Sequence, residues 1–123
     1  MDFPSSDYLA GMEKVITTLT LKGMAAGNDG DFKMAFSDME AALWLSQSLD
    51  KRCLEAVLLN NLGLLHTMNG AWDRALFFYE CSMEIAADAC PSDDTFLSTL
   101  KKNISCLFDP KVVTPKNQNQ NLN

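Results

Sequence analysis

The sequence predicts an all-α protein, a short α-α superhelix (solenoid) of two helical hairpins closed by a C-terminal capping helix. Three observations predict it. Apolar residues recur with a period of about 3.6 and not 2. A set of small and aromatic residues returns 40 positions later: Gly23 and Gly63, Gly30 and Gly70, Phe32 and Trp72, Ala35 and Ala75, Met39 and Tyr79, Ala42 and Ser82. Turn-forming Asn28-Asp29-Gly30 and Asn69-Gly70 separate the apolar stretches. A partial third copy starts where Asn61-Leu62-Gly63 is echoed by Asn103-Ile104-Ser105, and Asp109-Pro110 interrupts it.

The first helix opens at Ser5 or Ser6 as N-cap and carries Tyr8, Met12, Val15, Ile16, Leu19, Gly23 and Ala26 on one face. Gly30 supplies the positive φ of the following turn, and Asp31 caps a second helix with Phe32, Ala35, Phe36, Met39, Ala42 and Leu43 in line. A third starts at Asp50 or its neighbours and aligns Leu54, Leu58, Leu62, Leu65 and His66. After Asn69-Gly70 comes a fourth, with Trp72, Ala75, Leu76, Tyr79, Met83 and Ala86. Pro91-Ser92-Asp93-Asp94 breaks the chain before a fifth, whose inner face is Phe96, Leu100, Ile104 and Leu107. Small pairs, Gly23 with Ala35 and Gly63 with Ala75, are expected where antiparallel helices cross, with Phe32 and Trp72 filling the space beside each turn. Neither hairpin buries both its faces, so one must stack on the other and the fifth helix must cover the last face.

Composition narrows the function. The 123 residues are 47% hydrophobic and 21% charged, enough apolar material for one core, and seven Met and seven Phe against four Pro and six Gly favour packed helices. Ten Lys and Arg against sixteen Asp and Glu give a net charge of -6, which disfavours nucleic acid and anionic lipid. No run of about 18 apolar residues is present to span a bilayer. Residues Met1 to Asp7 lack the features of a signal peptide, so the expected location is cytoplasmic. Cys53, Cys81, Cys90 and Cys106 form no CxxC pair and are read as reduced, buried or half-buried thiols.

Asn61-Leu62-Gly63, Gly70, Trp72-Asp73, Ala75, Tyr79 and Ser82 together resemble the tetratricopeptide repeat. Leu59 stands where that family often has Trp, and His66 where it usually has Tyr. The resemblance places repeat one at about 16–48, repeat two at about 56–89 and a half repeat at about 93–108, within a domain of residues 1–110. The 40 to 42 residue period and the late Pro91 look like the longer repeats of kinesin light chain and the G-protein-regulatory spindle scaffolds. The end after half a repeat gives the expectation of a shortened form of a longer array.

The resemblance implies a non-enzymatic adaptor, without cofactor, that holds a partner peptide in a concave groove lined by the first helix of each repeat. The groove positions are Thr17, Thr20, Leu21 and Met24, then Val57, Asn60, Asn61, Leu64 and Met68, then Thr99, Lys102, Asn103 and Cys106. Asn61 and Asn103 carry most weight, because a carboxamide both donates to and accepts from a ligand backbone, while Leu64 and Met68 add adaptable apolar contact. Equally, the two Asn could bond only within the stack, and both readings stay open. The chaperone-tail type needs Lys and Asn where Thr20 and Met24 stand.

Other chemistry finds few residues to carry it. His66 is the only histidine and lies on an apolar stripe, which favours packing over catalysis, and one His with four dispersed Cys makes no metal-ligand spacing. Trp44, Leu45, Phe77 and Phe78 fall outside the main stripes and could form an outer apolar patch. The alternative function is therefore a self-associating structural module with an idle groove. Residues 111–123, rich in Asn and Gln and interrupted by Pro115, read as a disordered tail.

Overall fold

The computed structural model describes residues 5–109. They form five α-helices: α1 (Ser6–Asn28), α2 (Phe32–Ser48), α3 (Arg52–Met68), α4 (Trp72–Ala89) and α5 (Asp94–Leu107). No strand occurs among the described residues, and the protein is all-α. The segment 111–123, expected as a tail, lies outside them.

The first three connections share one backbone solution. After α1, α2 and α3 the chain passes through a left-handed residue, Gly30 (φ 83°), Asp50 (φ 54°) and Gly70 (φ 77°). The next N–H then returns to a carbonyl of the helix's last turn: Asp31 to Ala26 at 2.8 Å, Lys51 to Ser46 at 3.1 Å, Ala71 to His66 at 2.8 Å. This closure satisfies carbonyls that a helix end otherwise leaves bare. The sequence placed the start of the third helix at Asp50 or its neighbours, and the neighbour Lys51 is the N-cap. Asp50 itself is the left-handed turn residue that closes α2, a place taken by Gly in the other two turns, and α3 begins at Arg52. At the fourth connection Cys90 leaves the helical conformation (φ -139°, ψ 58°), Pro91 follows, and Asp93 starts α5 by accepting from Phe96 N–H at 3.1 Å. Ser5 and Asp31 cap α1 and α2 in the same way, whereas Lys51 and Ala71 at the starts of α3 and α4 give no side-chain cap.

Short turns force consecutive helices to pack antiparallel. α1 packs on α2 and α3 on α4, and the two hairpins meet through α2 against α3. Gly23 lies close to the Ala35 carbonyl, as expected for a crossing of small residues. Gly63 does so differently. The space where its side chain would stand is filled by the Tyr79 ring, not by an approach of Ala75, and the Tyr79 hydroxyl meets Thr67 Oγ1 at 3.1 Å. Farther along, Ser82 donates to the Ala56 carbonyl at 2.5 Å. One crossing went unforeseen: Leu65 of α3 and Met68 press on Gly27 of α1.

Two buried clusters result, and α3 feeds both. Ile16, Ala35, Met39, Ala42, Leu58, Leu59, Leu62 and Leu65 form the first; Ala56, Ala75, Tyr79, Ala86, Leu100 and Leu107 form the second. Tyr8 and Val15, assigned to the inner stripe of the first helix, are exposed, because only part of α1 runs beside α2 and α3 while its other flank has no neighbouring helix among the described residues. Leu45 and Phe78, assigned outside the stripes, are half-buried against the first cluster, whereas Trp44 and Phe77 stay 66% and 60% exposed.

Candidate functional site

The odd-numbered helices lie side by side, with α3 between α1 and α5. This order places the groove candidates on neighbouring helices. From α1, Thr20 is half-buried with its hydroxyl donated to the Ile16 carbonyl at 2.8 Å, and Met24 packs on the first buried cluster. Thr17 and Leu21 are exposed. From α3, Leu64 is half-buried against the second cluster and Met68 against the first, with Asn61 half-buried and Val57 exposed. From α5, Lys102 and Thr99 are exposed and Asn103 and Cys106 half-buried.

The structure makes one direct polar link among these residues. Asn103 Nδ2 donates to Asn60 Oδ1 at 2.9 Å, joining α5 to α3. Asn60 is only 6% exposed, so its oxygen needs a partner inside the protein. Asn61, given the greater weight with Asn103, points elsewhere on the helix turn, and it is Asn60 that Asn103 reaches. The pairing spans 43 residues of chain, which no local pattern could reveal. Leu64, one helical turn from Asn60, and Cys106, three residues beyond Asn103, extend the same junction, and none of the groove candidates is acidic.

A second cleft of about 440 Å³ opens on the other side, lined by Phe36, Glu40, His66, Asn69, Ala71, Arg74, Phe77 and Phe78. Its floor is an aromatic stack: His66 lies between Phe36, with centroids 4.4 Å apart, and Phe78 at 5.1 Å and nearly parallel. His66 is 8% exposed, and its Nδ1 is buried without a hydrogen bond. Burial first, and then the positive charge of Arg74, push its pKa below the ordinary imidazole value. A neutral, stacked ring is the packing role expected where a Tyr-like residue was anticipated.

Tyr79 behaves alike: burial pushes its phenol above the ordinary value, partly opposed by the bond to Thr67. Among the described residues no three His, Cys, Asp or Glu side chains gather as a metal site, and no helix is long and apolar enough to cross a membrane. Sequence reasoning missed the cleft because its walls come from three helices, though Phe36 and Phe78 could be placed beside His66 once the hairpins were stacked. Compared with protein-family models, curated proteins and solved structures, the chain matches none.

Proposed function

We propose that this chain is a protein-interaction module of the tetratricopeptide type, holding an extended peptide segment of a partner across the face shared by α1, α3 and α5. The observation that carries the reading is the Asn60–Asn103 bond. It uses one N–H of Asn103, so the half-buried Asn103 keeps its oxygen and its second amide hydrogen on offer to a passing backbone. Leu64, Met68 and Met24 supply apolar, adaptable neighbours, and Lys102 supplies a cation at the rim. With no acidic side chain among these residues, the ligand has no electrostatic reason to be basic.

Asn103 also satisfies the buried Asn60, so the informative variant avoids it and joins Asn61→Ala with Lys102→Glu. Peptides selected on the wild-type protein from a displayed random library are expected to bind this variant about tenfold more weakly, equivalent to about 1.4 kcal/mol, with the helical circular dichroism unchanged. Equal affinity, or a library that yields no binder, overturns the groove reading.

A second reading rests on Trp44 and Phe77, whose exposure on the even-numbered helices suits self-association. Under it, light scattering at tens of micromolar gives a mass above one chain, and Trp44→Ser with Phe77→Ser returns it to one chain. A monomer at that concentration removes it.

A further inference from the structure

Antiparallel packing brings the first turn of α3 to the last residue of α4, and there two cysteines meet. Cys53, the second residue of α3, is exposed and donates its thiol to the Ala89 carbonyl at 3.3 Å. Cys90, the next residue along and the C-cap of α4, is half-buried, with its thiol near enough to Cys53 for the two to influence each other's ionisation. The same two helix ends are tied by Arg52 to Asp88 at 2.5 Å, so backbone and side chains hold the sulfurs as neighbours. Disulfide formation requires this proximity, because sulfurs on elements that point apart cannot bond without backbone movement. Cys81 and Cys106 lie elsewhere, Cys81 on the side of α4 that packs against the first cluster and Cys106 on α5.

We propose that Cys53 and Cys90 are a peroxide-responsive modification site that closes reversibly to an intramolecular disulfide, clamping the open ends of α3 and α4. The exposed Cys53 sulfur, as thiolate, attacks one oxygen of the peroxide. An S–O bond forms as the O–O bond breaks, and the departing hydroxide takes up the thiol's proton as water. Cys90, also as thiolate, then attacks the Cys53 sulfur; the S–S bond forms, the S–O bond breaks, and the second hydroxide leaves as water with the proton from Cys90. Two electrons pass from the two sulfurs to one peroxide, and two thiols plus one hydrogen peroxide become one disulfide and two waters. Burial, and then the neighbouring Cys53 thiol, push the Cys90 thiol up to about 11. The second step therefore accelerates as pH rises from 7 to 9.

Closure ties residues that lie far apart in the chain, which restricts the unfolded state and raises the midpoint of thermal unfolding. The whole reduced chain is treated with hydrogen peroxide and followed by intact mass, non-reducing peptide mapping and thermal unfolding. The expected result is loss of two hydrogens, a Cys53–Cys90 cross-linked peptide, a rise of roughly 5–15 °C in the midpoint, and full reversal by dithiothreitol. Cys90→Ser is expected to abolish the cross-link and leave a Cys53 sulfenic acid that dimedone traps, and Cys53→Ser to abolish both, with Cys81 and Cys106 as internal controls. Cross-links that instead join chains or involve Cys81 or Cys106, or a midpoint that rises equally in Cys53→Ser, overturn the proposal. So does peroxide-treated protein whose Cys53 and Cys90 remain alkylatable. None of these readouts depends on a peptide in the groove, so this proposal and the groove reading fail separately.

Discussion

Glycine plays different parts at different positions, and the neighbours decide which. A side chain at Gly63 would stand inside the Tyr79 ring, and that ring is fully buried with its hydroxyl held at Thr67, so it cannot slide aside. Gly11, on the exposed part of α1, has open space around it. Gly63→Ala is expected to cost about 1–3 kcal/mol through overpacking, even after the gain in helix propensity, whereas Gly11→Ala should gain roughly 0.5–1 kcal/mol. Urea unfolding of the two variants checks this, and opposite signs of the midpoint shift are the expected outcome. Two losses would mean that the N-terminal part of α1 is more closely packed than its exposure indicates. The sequence announced Gly63 as a close approach through its pairing with Gly23, but not the partner. Ala75 and Tyr79 are both on the inner stripe of α4, and only the rotation of the helix chooses between them. Asp50 shows the converse, since a left-handed turn residue that is not Gly leaves no mark in a pattern search, although it stands midway between Gly30 and Gly70.

At the scale of helices, the stack Phe36–His66–Phe78 joins α2, α3 and α4 through one imidazole. His66 is held neutral below its ordinary value by burial and then by Arg74, with Glu40 as the acidic group on the same cleft. In the unfolded chain the ring takes a proton near 6.5, before the folded protein does. Stability contributed by the neutral ring is thus fully present above that value and is lost as pH falls below it toward the depressed folded value. The wild-type midpoint of thermal unfolding is expected to fall more between pH 7.5 and 5.5 than that of His66→Phe, which keeps the stack and cannot protonate. Equal falls in the two proteins would place the acid sensitivity elsewhere. Helix existence was legible from period alone, and the repeat made the pairing of α1 with α2 and α3 with α4 legible too. The cleft was not, because residues 36, 66 and 78 become neighbours only when the two hairpins stack in one particular register.

Over the whole molecule, α3 is the element on which every other depends: it supplies residues to both buried clusters and touches α1, α2, α4 and α5. α5 is held more lightly, by Leu100 and Leu107 in the second cluster and by the Asn103–Asn60 bond. These two attachments differ in kind. Burial of Leu100 is non-directional, whereas the carboxamide bond sets how far α5 slides along α3. Asn103→Ala leaves the Asn60 oxygen without its protein partner and is expected to cost about 1–3 kcal/mol, as is Asn60→Ala from the other side. Replacing both by Ala removes the unsatisfied group as well as the bond, so the pair is expected to cost less than the sum of the two single changes. A double-mutant cycle in urea measures the difference, and amide exchange locates it: the single variants should lose protection in α5 ahead of α1 and α2. If the double change costs the plain sum, the two Asn are not coupled in solution and α5 is positioned by Leu100 and Leu107 alone. In that case Asn103 is free of Asn60, and its whole carboxamide faces the surface on which the partner peptide is proposed to lie.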